Sequence, residues 1–171
     1  FSRGQPSAER PCVVFTLAEQ AGPVTARAGL TTLPDHGFAS APPIDLLIVP
    51  GGVVTGELAK PEVIRWLAAT AATAKITAAV CTGAFLLAKA GLLDGRPATT
   101  HWEDQSDLRR DFPGLKVVDS IRWVDAGKYV TSGGISAGID MSLHLVERLA
   151  GRELALRTAR QMEFRWDETS A

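Results

Sequence analysis

Short apolar runs alternate with amphipathic stretches along the chain, with no internal repeat and no Pro/Ser-rich linker between them. After a polar start from Ser2 to Arg10, Cys12-Val13-Val14-Phe15-Thr16-Leu17 is rich in β-branched and aromatic residues and predicts a buried strand. Val24 to Arg27 and Leu30 to Leu33 predict a small strand pair around Gly29. Ile44 to Val49 is almost continuously apolar, the pattern of a parallel strand covered on both faces, and Pro50-Gly51-Gly52 ends it. From Pro61 to Thr73, Val63, Ile64, Leu67 and Ala71 fall at helical spacing, and Pro61 suits a first turn where its missing N–H costs nothing. Ile76 to Val80 predicts a second buried strand, followed after Cys81 by a helix from Thr82 to Ala90 that Gly91 stops.

Further on, Ala98 to Thr100 predicts a short strand, Glu103 to Asp111 a polar helix, and Lys116 to Val118 a strand. Ile121 to Val124 and Tyr129 to Ser132 flank a hairpin turn at Asp125-Ala126-Gly127-Lys128, and two helices follow, Gly138 to Leu149 and Arg152 to Glu163. Strands alternating with helices predict an α/β fold, doubly wound around a mainly parallel sheet with helices on both faces. Ligands of such folds sit beyond the carboxyl ends of the strands. Three segments with unusual chemistry end strands there: Pro50-Gly51-Gly52, Val80-Cys81-Thr82-Gly83 and Thr131-Ser132-Gly133-Gly134.

The 171 residues are expected to form a single domain spanning residues 1–171, and 46% apolar content is enough to bury roughly 70% of the extended-chain surface. With 18 basic against 19 acidic residues the net charge is -1, which argues against nucleic acid as a partner, since phosphate binding needs a basic excess. Cys12 and Cys81 stand far apart with no CxxC or His cluster, so neither a disulfide scaffold nor a metal site is expected. Apolar stretches are too short to span a bilayer, so no membrane partner and a cytoplasmic location are expected.

A strand that turns into a helix through one reactive residue is a nucleophile elbow, an arrangement that accommodates cysteine as well as serine. Ala79, Thr82, Gly83 and Ala84 leave room for that turn, and the helix start aims free N–H groups at the sulfur, favouring thiolate. The alternative for Cys81 is a small buried hydrophobe. The amides of Gly52 and Thr82 are candidate oxyanion donors; Thr82 could also bond the sulfur or cap the helix. His101 closes the short strand after the elbow helix and is a candidate site residue or a rim histidine, and Trp102 beside it could wall a pocket. His36 is placed in a loop and His144 in mid-helix, both in structural roles. Ser132 to Gly138 lacks the Lys and spacing of a phosphate loop, so it is read as letting the last strand turn closely past the site, with Asp140 complementing a helix dipole.

Ile48-Val49-Pro50-Gly51-Gly52, Ala79-Val80-Cys81-Thr82-Gly83-Ala84-Phe85-Leu86-Leu87-Ala88, the run Gly91 to Trp102 with its Ala98-Thr99-Thr100-His101-Trp102, and Gly133-Gly134-Ile135-Ser136-Ala137-Gly138-Ile139-Asp140 together resemble the ThiJ/PfpI branch of the class I glutamine-amidotransferase-like superfamily. The likeness runs from Cys12 to about Trp166, and within the branch it is similar to isonitrile hydratases and to the sensor-like domain of AraC-type regulators. It implies a flavodoxin-like fold, usually a homodimer and bacterial, needing no cofactor. Cys81 is then the nucleophile, Thr82 and Gly52 line the oxyanion side, and Gly51, Gly83, His101, Trp102 and Gly133 border the small-molecule substrate. For a hydratase the implied reaction runs through a Cys81 thioimidate to an N-substituted formamide. Two other expectations stand beside it: a ligand-sensing regulatory domain, and deglycase or glyoxalase chemistry on dicarbonyls. Family members begin with a strand and an acidic residue that partners the cysteine, whereas Phe1-Ser2-Arg3 resembles the end of the helix that follows, so the first strand is expected to be missing. Thr82 replaces the His that follows the cysteine in the superfamily's proteases, and Arg160-Gln161-Met162-Glu163 lacks the His of glutaminase triads.

Overall fold

Residues 12–168 are described by the computed structural model, which divides after Ile44 into two units. In the first, the run expected to be a strand from Cys12 narrows to β1 (Leu17–Ala18), and Cys12 is exposed rather than buried. A rich β-propensity describes side chains that suit a pleated surface, but a strand also needs a partner backbone. β1 finds one, in parallel, at β4 (His36–Gly37), where His36 lies in a strand rather than the expected loop and meets Phe15 edge-on. Just before it, Thr16 donates from both its amide and its hydroxyl to one Asp35 carboxylate oxygen, at 2.8 and 2.9 Å. β2 (Val24–Thr25) and β3 (Thr31–Thr32) form the expected antiparallel pair, shorter than the sequence suggests.

The second unit is built on four strands in the order β5-β6-β10-β9. β5 (Leu46–Val49) and β6 (Ile76–Val80) are parallel, β10 (Tyr129–Ser132) joins β6 in parallel, and β9 (Trp123–Ala126) closes the sheet as the antiparallel arm of a hairpin. β6 sits inside the sheet, which is why it tolerates five consecutive apolar or β-branched residues. Ile76, Ala78 and Val80 point to a core with Met141 and Leu145, whereas Thr77 and Ala79, on the opposite face, are also fully buried. β5 lies at the sheet's edge, so Ile48 is 44% exposed while Leu47 and Val49 are buried.

Between the strands run α1 (Thr55–Leu58), α2 (Pro61–Thr73) and α3 (Gly83–Lys89), then β7 (Pro97–Ala98), α4 (Gln105–Asp111) and β8 (Lys116–Val117). α5 (Ser136–Ala150) presents Met141 and Leu145, one turn apart, to the sheet, and α6 (Arg152–Gln161) packs on α5. Arg152, the first residue of α6, grips Glu168 beyond that helix through two hydrogen bonds of 2.8 and 3.1 Å, and these hold the Glu168 carboxyl below its ordinary pKa. This is an α/β flavodoxin-like arrangement, and no helix among the described residues is long and apolar enough to cross a membrane.

Candidate active site

Register brings the three strand-end segments to one edge of the sheet. Val49 stands opposite Ala79 and Ser132 opposite Val80, so β5, β6 and β10 stop nearly level. Cys81 is the first residue past that edge. Its amide donates to the Ser132 carbonyl at 3.0 Å, a last ladder bond, and then the chain swings into α3 with Cys81 at φ +57. A non-glycine residue in that region costs on the order of 1–3 kcal/mol and persists where surrounding structure holds it. The half-buried thiol is placed outside the strand by this turn.

Glycines make the turn possible by clearing space. A Cβ on Gly51 would lie 2.8 Å from each of Cys81 Cβ, the Thr82 nitrogen and the Val80 carbonyl oxygen. One on Gly83 would lie 2.5 Å from the Val49 carbonyl oxygen. The first loop is thus pressed directly against the elbow. Thr82 ties the two together: its hydroxyl donates to the Gly52 carbonyl and accepts from the Gly52 amide, both at 2.8 Å. It makes no cap bond to its own helix. The Gly52 N–H, read from sequence as an oxyanion donor beside that of Thr82, is therefore engaged by the Thr82 side chain. Helix geometry leaves the amides of Thr82 and Gly83 without intrahelical acceptors at the start of α3.

On the other flank, Thr100 donates its hydroxyl to the Cys81 carbonyl at 2.9 Å, and the Thr99 amide donates to the Thr131 hydroxyl at 2.9 Å. These bonds, rather than a third strand residue, hold the Thr99-Thr100 stretch beyond β7. They set His101 beside the third loop, where its ring takes the space a side chain on Gly134 would need. His101 Nδ1 faces the carboxylates of Asp104 and Glu103 at 3.5 and 3.6 Å, so Nε2 is the nitrogen nearer the loop. Trp102 is open to solvent, and Gly133 donates to the Arg122 carbonyl at 2.8 Å with no close approach to the elbow of its own. Gly138, at the start of α5, lets Val80 approach.

Sequence reasoning missed Thr100 as a support of the elbow, and it read Gly134 and Gly138 only as part of a segment that turns closely past the site, without their partners His101 and Val80. The doubled Thr99-Thr100 before His101 and the spacing of Gly134 and Gly138 are the signals they left. Asp140 differs from expectation more sharply. It is fully buried, accepts from Arg122 Nε at 2.6 Å and from the Asp167 amide at 2.8 Å, and so holds the stretch at Asp167 that follows α6. Ile135, between Gly134 and α5, adopts φ +51, a second strained position beside the site. His144 is structural as expected, bonded to Asp125 at 2.7 Å and stacked on Trp123. Among the described residues no group of three His, Cys, Asp or Glu side chains could hold a metal.

The DJ-1/PfpI family model matches residues 8–148. The chain is 39% identical over 140 residues to the HTH-type transcriptional regulator GbdR of Pseudomonas aeruginosa, covering 82% of this chain and 38% of the regulator. It is 38% identical over 143 residues to the isonitrile hydratase of Pseudomonas putida, covering 83% of this chain and 61% of the hydratase. Among solved structures, a THiJ/PfpI family protein from Pseudomonas syringae superimposes with a TM-score of 0.84 at 29% identity, over 94% of this chain and 66% of that one. The chain thus spans less than two thirds of the length of each of these proteins.

Proposed function

Because this chain belongs to the DJ-1/PfpI family, we propose that it is a cysteine-dependent hydratase of isonitriles, with Cys81 as the nucleophile. The observation that carries this reading is the strained elbow: Cys81 at φ +57, with Gly51 pressed against it and the amides of Thr82 and Gly83 left without intrahelical acceptors. Similarity to the Pseudomonas putida isonitrile hydratase supports the choice of electrophile. In the proposed reaction the Cys81 thiolate forms an S–C bond to the terminal isonitrile carbon, which takes up a proton to give a thioimidate. Water then adds to that carbon, the C–S bond breaks, the thiolate leaves, and an N-substituted formamide is released. Net, one isonitrile and one water give one formamide, with no redox change and no cofactor. The amides of Thr82 and Gly83 are offered to the charge that develops as water adds, and Thr82, through its bonds to Gly52, keeps the first loop in place.

A second reading draws on the similarity to GbdR: the same elbow would bind a ligand for regulation without turning it over. Formamide release from an aliphatic and an aromatic isonitrile separates the two, measured on the full chain and on Cys81→Ala. The hydratase reading expects turnover that falls by at least about a thousandfold in the variant. No turnover, with Cys81 still readily alkylated, would overturn it in favour of the sensor. Homodimer assembly and a cytoplasmic location complete the proposal.

A further inference from the structure

The stretch that follows α6, residues 164–168, is strapped back onto α5 by bonds of several kinds. Trp166 donates its indole N–H to the Asp140 carbonyl at 3.1 Å, and the Asp167 amide donates to the Asp140 carboxylate at 2.8 Å. Arg152 holds both carboxylate oxygens of Glu168 and lies 5.7 Å over the Trp166 ring. A merely passive segment would need no buried carboxylate to receive it. Asp140 is fully buried, and it gives one oxygen to the strap and the other to Arg122.

Arg122 in turn brackets the strained residue beside the elbow. Its carbonyl accepts from the Gly133 amide at 2.8 Å and its guanidinium donates to the Ser136 hydroxyl at 3.2 Å, so Ile135 at φ +51 is held from both sides. A β-branched residue stays in that region only where its surroundings hold it. Loosening Arg122 therefore gives the turn from Gly133 to Ile135 a second, relaxed arrangement. That turn also touches the nucleophile's surroundings. Ser132, directly before it, accepts from the Cys81 amide at 3.0 Å, and the His101 ring packs against Gly134. One side of the turn meets Cys81, and the other meets the strap through Arg122 and Asp140.

We propose that the strap is a conformational control on Cys81, with Asp140 and Arg122 as the positioning residues that couple the two. Docked, the strap holds the turn at Ile135 in its strained form and the elbow in the arrangement that presents the thiolate. Released, it lets both relax, so an event that draws residues 164–168 away from α5 lowers the reactivity of the cysteine. The control rests on the Cys81 nucleophile of the reading above and not on its isonitrile substrate.

Trp166→Phe combined with Glu168→Gln tests it. The pair removes the indole bond and the ionic grip, leaves Arg152 its other partner, Glu147, and strands no buried charge, since Glu168 is half-exposed. Two rates are read on the native full chain by mass spectrometry with peptide mapping. One is hydrogen exchange at residues 164–168; the other is iodoacetamide addition to Cys81, with Cys12 in the other unit as reference. Exchange is expected to rise, and the Cys81-to-Cys12 rate ratio to fall, each by at least about fivefold. Ile135→Gly supplies a readout that a general loss of stability would not give. Glycine holds the turn without strain, so in that background the strap substitutions leave the ratio within about twofold. Exchange or a ratio unmoved by the strap substitutions, or an equal fall of the ratio in both backgrounds, would overturn the control. A native Cys81 that labels no faster than Cys12 sinks the nucleophile and the control together, whereas a fast native Cys81 indifferent to the strap sinks the control alone.

Discussion

At Cys81 the backbone pays a strain that its neighbours make tolerable, and Gly51 is the neighbour with least freedom. A methyl group there would meet Cys81 Cβ, the Thr82 nitrogen and the Val80 carbonyl oxygen, each at 2.8 Å, and two of these belong to backbone that cannot swing aside. Gly51→Ala is therefore expected to destabilise the fold by about 1–3 kcal/mol and to slow alkylation of Cys81, read by denaturant unfolding and by thiol labelling. An unchanged unfolding midpoint together with an unchanged labelling rate would contradict the packing argument. Cys81 and its small neighbours are legible in sequence because a strand running straight into a helix through one cysteine admits few other arrangements. The engagement of Gly52 by Thr82 is not legible, because it depends on the pairing of Val49 with Ala79, a long-range register that no local pattern encodes. Thr100 is hidden for the same reason, its partner being a carbonyl 19 residues earlier.

Among the elements, α2 and β6 have the bounds their patterns predict, because helical spacing from Pro61 and an unbroken buried run from Ile76 are both strong signals. The short pieces fare worse. β1 shares only Leu17 with a run that reads as six residues, and the expected strand at Ala98–Thr100 is replaced by β7 at Pro97–Ala98, with Thr99 bonded through Thr131 and Thr100 through Cys81. Propensity cannot report whether a partner strand lies alongside. Inside β6, Thr77 is fully buried between Leu47 and Tyr129 of the flanking strands, and its hydroxyl has no hydrogen-bond partner among the described residues. Thr77→Val keeps the shape and removes the orphaned hydroxyl, so it is expected to raise stability by about 1 kcal/mol, seen as a Tm increase of a few degrees. A lower Tm would show that the hydroxyl is satisfied.

For the molecule as a whole, the sequence pattern carries the fold class and the family, while the division after Ile44 and the exposure of Cys12 come only from the structure. That exposure sharpens the central question. On accessibility alone, exposed Cys12 should be alkylated faster than half-buried Cys81, whereas an elbow that presents a thiolate reverses the order. Iodoacetamide labelling of the native protein at neutral pH, resolved by peptide mapping, decides between them. An activated Cys81 reacts first, by about tenfold or more, and loses that advantage when the protein is unfolded. Cys12 reacting first, or both at the same rate, would contradict an activated nucleophile at Cys81.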